Sequence, residues 1–468
     1  TVEDRRRIRI QRTPPAITIH AAETGLVGSA FGVITDIETN QRTRITLDVE
    51  HAGRAQVVQS EFQRRRHGVT WPDESGAGGP AAVRITATND AGLKTTRDTL
   101  LTLPERRFRS QLLKRHATSV PRGYLLPKLV DFDGDTLPEL LLNPTTRQGG
   151  ISDSLYLYEW TGTDFVRGDS LRANVIPRDV GDTNASGTPE LLTQVASATL
   201  LLQQGPGEWL PKTQAFIDTT GQGTRQSDPP FIGSRLVDFQ HRGSSQIVGH
   251  TRSVWEGLRR QDSTYIPAFS FGPRDVFAIA DTLDLGSLIG PAEAAVGDYT
   301  GNGRTNLLVG DRYGHLIMYE TPPDRGKPFP VWSYASGRFG AGQRFGTGDV
   351  TGNGVDNFIT FTQHYPLQLP NGTRMPPRST YTVWERDGTG GFSSAYRLPI
   401  AGDPGATGSI TTANLTGDDR DEVILAHTPY LIVLRNHPSR GWEVAYLDDR
   451  AGDESVTSPA MVAGDVSG

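Results

Sequence analysis

Cysteine is absent from the 468 residues, which excludes disulfide stapling and thiol catalysis. Rigidity must then come from core packing or from bound metal. Lysine is nearly absent. Lys94, Lys114, Lys128, Lys212 and Lys327 are the only ones among 47 basic side chains, so almost all positive charge is arginine. That bias reads most simply as a GC-rich genome, such as that of a thermophile or halophile. No run approaches the roughly 20 apolar residues of a spanning helix, and no long segment has helical period. A dominant charge is lacking too. The 47 basic and 53 acidic side chains give −6, too balanced for a dedicated nucleic-acid surface. An apolar leader is also missing, since Thr1 to Arg7 is polar. The expectation is that a signal was removed or that the chain is an internal fragment.

Turn-forming residues are abundant. Glycine (53) and proline (31), with no collagen period, suit many short strands joined by tight turns. The length suggests about two to four domains. Self-comparison then finds a repeat: an apolar run, an acidic turn with oxygen-bearing residues at alternate positions, and a second apolar run. The first copy is Asp131-Phe-Asp133-Gly-Asp135-Thr-Leu137-Pro-Glu139, and the second is Asp182-Thr-Asn184-Ala-Ser186-Gly-Thr188-Pro-Glu190. The others are Asp298-Tyr-Thr300-Gly-Asn302 to Asn306, Asp349-Val-Thr351-Gly-Asn353 to Asn357, and Asn414-Leu-Thr416-Gly-Asp418 to Glu422. A degenerate copy begins at Asp238 and a cut-off copy at Asp465.

Successive copies are 51, 56, 60, 51, 65 and 51 residues apart, the length of a four-stranded propeller blade with its loops. Seven starts imply seven blades. Alternating runs at Leu155–Tyr158, Leu316–Tyr319, Tyr381–Trp384 and Leu431–Leu434 supply third strands. Phe165, Trp209, Phe329, Phe392 and Trp442 mark the fourth strands.

These residues resemble the FG-GAP repeat family, also called VCBS repeats, of integrin α-chain propellers and many bacterial surface proteins. The resemblance covers about 117–468. It implies an all-β fold: a seven-bladed β-propeller over 104–468, its last blade incomplete. Glu105 to Leu113 is expected to supply that blade's outer strand, with its other strands starting at Ser458–Gly464.

The turns carry a metal expectation. Calcium takes six to eight oxygens, and positions 1, 3, 5 and 9 of a tight loop, with the carbonyl at 7, can surround one ion. In the first copy these are Asp131, Asp133, Asp135, Glu139 and the Leu137 carbonyl. In the second they are Asp182, Asn184, Ser186, Glu190 and the Thr188 carbonyl. Weaker candidate sets are Asp298, Thr300 and Asn302; Asp349, Thr351 and Asn353; and Asn414, Thr416, Asp418 and Glu422. The alternative at every copy is an Asx-rich turn without metal. At the degenerate copy Arg242 places a positive charge where the ion would sit, so no Ca2+ is expected there. The ion reads as structural.

Residues 13–103 read as an immunoglobulin- or fibronectin-like β-sandwich. Strands are expected at Ala16–His20, Arg44–Val49, Ala55–Val58, Ala82–Thr88 and Thr96–Leu103, with a turn at Asn89-Asp90. Residues 1–12 read as the end of a preceding module or a linker.

Arg167-Gly168-Asp169-Ser170 spells an integrin-recognition tetrapeptide, but it falls on an expected outer strand. Catalytic zinc spacing, a nucleophile elbow and a phosphate loop are all missing. The expectation is therefore a calcium-stabilised binding or adhesion module, not an enzyme. It would be secreted or displayed on the outer surface of a bacterial cell, bind a protein or glycan, and belong to a larger polypeptide. The alternative is a propeller-based polysaccharide lyase or hydrolase. A converging carboxylate pair, or a basic–acidic cluster on the blade loops, would separate the two.

Overall fold

The computed structural model describes 13–106 apart from 61–63, and 127–463 with interruptions at 133–134, 143–153, 173–175, 196–197, 206–207, 216–231, 240, 242, 252–253, 262–275, 285–290, 312–313, 325–326, 336–343, 365–377, 402–406, 428–429 and 449–460. Every regular element within it is a β-strand. By compactness the chain divides into two units. The first is Thr1–Phe108 with Gln363–Tyr381 and Arg397–Pro404, and the second is the remainder.

The first unit holds β1 (Ile17–Val27), β2 (Ala30–His51), β3 (Arg54–Gln59), β4 (Arg64–Pro72), β5 (Gly79–Asn89) and β6 (Lys94–Leu103). Strand β2 is long enough to serve two sets of partners. Its first half pairs with β1 and β4, and its second half with β3 and β5. Alternation puts Val33 and Ile37 from one half, and Ile45, Leu47 and Val49 from the other, into one core with Val69, Trp71, Val83 and Ile85. Each such side chain contributes roughly 1.5–3 kcal/mol on burial. Ala52 and Gly53, both at positive φ, form the two-residue turn from β2 to β3. The expected turn at Asn89 is present, with its side-chain oxygen accepting the N–H groups of Ala91 and Leu93. Strand β4 and the first half of β2 were not expected, because Arg64-Arg65-Arg66 disguises the apolar face carried by Val69 and Trp71.

Six sets of four antiparallel strands follow in chain order, five of them separate sheets. They are β7–β10 (Lys128–Val130, Glu139–Leu142, Ser154–Trp160, Phe165–Arg172), β11–β14 (Ile176–Gly181, Glu190–Val195, Ala198–Gly205, Glu208–Ala215) and β15–β18 (Ile232–Val237, Gln246–Thr251, Val254–Gln261, Val276–Asp284). Then come β19–β22 (Pro291–Gly297, Asn306–Asp311, His315–Glu320, Phe329–Ala335), β23–β26 (Phe345–Gly348, Asn357–His364, Arg378–Arg386, Phe392–Ala401) and β27–β30 (Thr407–Ala413, Glu422–His427, Tyr430–His437, Gly441–Asp448). The first strands of successive sheets lie side by side: β7 with β11, then β15, β19, β23 and β27. Each acidic turn joins the first strand of a sheet to its second.

Six such sets are described, the fifth continuing from β26 into β1, where seven blades were expected. The proposed seventh blade falls mostly outside the described residues, which omit 107–113 and 464–468. Of its supposed outer strand only Glu105 and Arg106 are described. Arg106 donates its N–H to the Gly76 carbonyl at 3.0 Å, within the first unit.

Candidate functional site

The turns share one hydrogen-bond plan, numbered here from the first acidic residue. Positions 4 and 6 take the left-handed conformation. Position 4 is Ala185, His241, Gly301, Gly352 or Gly417, and position 6 is Thr136, Gly187, Gly243, Gly303 or Gly354. Glycine is common there because a side chain at positive φ is strained. That geometry aims backbone N–H groups inward at position 1. Asp349, for example, accepts from Gly352, Asn353 and Gly354 at 2.7, 3.1 and 2.7 Å. Similar bonds, led in effect by burial in the opposite direction, leave the Asp182 carboxyl below its usual range. Position 9 opens the second strand, is buried, and accepts the N–H of position 2. These pairs are Glu139 with Phe132, Glu190 with Thr183, Asn306 with Tyr299, Asn357 with Val350 and Glu422 with Leu415.

The five candidate metal sets differ once their surroundings are seen. In the first turn Asp131, Asp135 and Glu139 each bring an oxygen within 4.8 Å of the others. Asp133 lies outside the described residues, and the Leu137 N–H is held by Asp135 at 2.8 Å. In the second turn Asn184 donates to Glu190 at 2.6 Å and Ser186 to the Thr188 carbonyl at 3.3 Å.

In the turn at Asp298 a residue outside the motif takes the centre. Glu320, at the end of β21, accepts Thr300 Oγ1, Asn302 Nδ2, Asn306 Nδ2 and Arg304 Nη1 at 3.0–3.2 Å. In the turn at Asp349, Thr351 donates weakly to Asp349 and Asn357. In the last turn Arg435 of β29 lies 2.8 Å from Asp418 and 3.3 Å from Glu422, and it draws the Asp418 carboxyl below its usual range. Asn414 accepts the Gly417 N–H, and Thr416 donates to Glu422. Glu320 and Arg435 leave no signal in the nine-residue motif, because each comes from the third strand of its sheet. The degenerate copy's Gln240 and Arg242 lie outside the described residues.

Position 8 links neighbouring turns. Asp356 donates its N–H to the Asp298 carbonyl at 3.1 Å, and its carboxylate accepts the Asp298 N–H at 2.7 Å. Asp421 donates to the Asp349 carbonyl, and Ser245 to that of Asp182. The residue before position 1 is then glycine. A Cβ on Gly297 would lie 2.7 Å from Asp356 Oδ2, and one on Gly181 would lie 2.9 Å from Ser245 Oγ. Burial, and then neighbouring carboxylates, push Asp356 and Asp421 above the usual range.

A cleft of about 350 Å3 opens beside the fifth turn. It lies between Asn353, Val355 and Asn357 and the β25–β26 hairpin turn, with Glu385, Arg386 and Asp387 on its wall. Asp387 is held by the Thr389 hydroxyl at 2.6 Å and by the N–H groups of Thr389 and Gly391 at 2.9 Å. The Thr389 hydroxyl leads in keeping this carboxyl below its usual range. Arg386 donates to the Thr300 carbonyl. The tetrapeptide arginine, Arg167, lies on β10 over the Tyr156 ring at 4.1 Å.

No family model and no curated protein matches the chain. Among solved structures, a Bacteroides uniformis protein assigned as a 6-phosphogluconolactonase is 12% identical, covering 88% of this chain and 99% of its own, at TM-score 0.43. A Bacteroides fragilis protein of the same assignment is 9% identical, covering 87% and 98%, at TM-score 0.42. The periplasmic gluconolactonase of Pseudomonas aeruginosa is 11% identical, covering 86% and 94%, at TM-score 0.42. These findings correct the expectation of an FG-GAP or VCBS integrin-like protein, which no family model supports. The expectations of an adhesion module and of a non-enzyme are corrected as well: the structural neighbours are named as enzymes. The physical reason is that the repeat reports a strand–turn–strand period. That period constrains backbone geometry and does not specify ancestry or chemistry.

Proposed function

We propose that the chain is a hydrolase acting on a hydroxyl-rich, carbohydrate-type substrate, bound in the cleft beside the hairpin turn. The observation that carries it is the cluster of Glu385, Arg386 and Asp387 facing Asn353 and Asn357 across one cleft. A basic–acidic cluster on a hairpin turn favours an enzyme over a binding module. Asp387, kept ionised by its hydrogen bonds, suits a stabiliser of developing positive charge. Glu385 is the second carboxyl on the same wall of the cleft. Arg386 supplies positive charge for a developing oxyanion. The test is turnover of a panel of sugar lactones and oligosaccharides. Glu385→Gln and Asp387→Asn should each lower kcat/KM by about 100-fold with little change in melting temperature. No turnover across the panel, or variants as active as the parent, would sink the reading.

We further infer that the six sets of strands are blades of a β-propeller and that the first unit is an immunoglobulin-like module. In the first turn, the convergence of Asp131, Asp135 and Glu139 favours a hard divalent cation such as Ca2+, held for stability rather than chemistry. Isothermal titration with Ca2+, run on the parent and on Asp131→Asn, tests that site.

A further inference from the structure

Within the first unit, β1 grips the two strands that make the cleft's hairpin. The Glu23 carboxylate accepts Arg378 Nη1 at 2.9 Å and lies 3.7 Å from Arg397 Nη1. Arg378 opens β25, and Arg397 stands on β26. The Arg378 side chain is only 11% exposed, so this pair is better shielded from water than an ordinary surface pair. A few residues further on, β1 adds to the end of β26 in parallel, with Leu26 opposite Ile400 and Val27 opposite Ala401. Leu26 and Ile400 are both buried. Between the ion pair and this pairing sits Gly25. A Cβ there would collide with the Pro399 carbonyl and lie 2.9 Å from Ile34 Cδ1, so only glycine lets the strands approach.

The gripped strands are the two that meet at the cleft. Strand β25 runs from Arg378 to Arg386, and β26 returns from Phe392 to Ala401. A hairpin held at its far ends on both strands has a set register and twist, and its turn inherits that position. We propose that Glu23 and Gly25 are positioning residues for the hairpin that carries Glu385, Arg386 and Asp387, because β1 holds the far ends of both its strands. The catalytic meaning of this clamp rests on the hydrolase reading above, whereas the mechanical coupling does not.

The full chain tests it, as Glu23→Gln, as Gly25→Val, and as the charge swap Glu23→Arg with Arg378→Glu, made with Arg397→Gln so that no second arginine faces position 23. Amide exchange is followed at Ile400 and Ala401, where β1 adds, and at Asp387, Thr389 and Gly391, whose N–H groups are bonded within the turn. Each single variant should raise exchange about tenfold at both places, and the swap should return both toward the parent. On any substrate turned over, kcat should fall more than KM rises, since binding groups remain but are misplaced. Faster exchange at Ile400 and Ala401 with the turn unchanged would overturn the clamp. Should Gly25→Val not fold, Glu23→Gln and the swap decide alone. A parent chain without turnover but with coupled exchange would refute the hydrolase reading and leave the clamp standing.

Discussion

The junction between the fourth and fifth sheets and the junction between the first and second use turns of the same spacing, but they are held differently. At the former, Asp298 and Asp356 exchange two hydrogen bonds, Tyr299 bonds Thr347 at 2.8 Å, and Tyr299 packs with Leu308, Met318 and Phe358. At the latter, the residue at position 8 is Pro189, which has no N–H to give to Asp131, and Val130 stands where the other junction has Gly297. There the sheets meet through Val130, Val180 and Leu191, and through Lys128 and Asp179 at 3.4 Å. One residue at position 8 thus decides whether neighbouring turns are joined by polar bonds or by apolar packing. The clasp also has a cost, because it places a carboxylate where burial disfavours its charge.

The largest way to break the clasped junction is Gly297→Val. The added side chain meets Asp356 and Thr347, and overpacking of that kind costs about 3 kcal/mol. Urea unfolding should show it, while Val130→Ala at the other junction should cost about 1 kcal/mol.

Next in size is Arg435→Ala. It removes the guanidinium beside the buried Glu422 carboxylate, at a cost of about 2 kcal/mol. Recovery with Arg435→Lys should be partial, because an ammonium cannot reach both carboxylates as a guanidinium does.

Asp356→Asn should have the smallest effect and the opposite sign. The amide oxygen can still accept the Asp298 N–H without burying a charge. Because the folded-state pKa of Asp356 is raised, its protonated form favours the fold. That contribution is complete below the ordinary carboxylate range, near pH 4, and is lost as pH rises through the folded value. The variant should therefore match the parent in acid and exceed it slightly at pH 7, by about 0.5 kcal/mol after solvent screening. Melting temperatures measured from pH 4 to 8 would show this. A variant less stable than the parent at neutral pH would mean that the clasp needs the charge.

Much of this was legible in particular residues. Glycines at positions 4 and 6 announced the left-handed turns, and apolar runs such as Leu307 to Val309 and Val423 to Leu425 announced the second strands. Leu316 to Tyr319 and Leu431 to Leu434 fell within third strands as expected. The cleft was not legible. Glu385 and Asp387 alternate on a hairpin turn like any solvated pair, and they become a cluster only when Asn353 and Asn357 face them from about 30 residues away.

The sequence by itself determined the all-β character, the period of the sheets and the bonding within each turn. The strands and turns depend on residues at most eight positions apart, whose conformations follow from φ preference and alternation, and the period is their recurrence along the chain. Only the tertiary structure decided what fills and joins the turns. Glu320 and Arg435 arrive from third strands, Asp356 and Asp421 reach back to the preceding turn, and Glu23 meets Arg378 across 355 residues. Such contacts obey no period. They arise when strands stack and water is excluded, and then a buried carboxylate must take whichever donor the neighbouring strand presents.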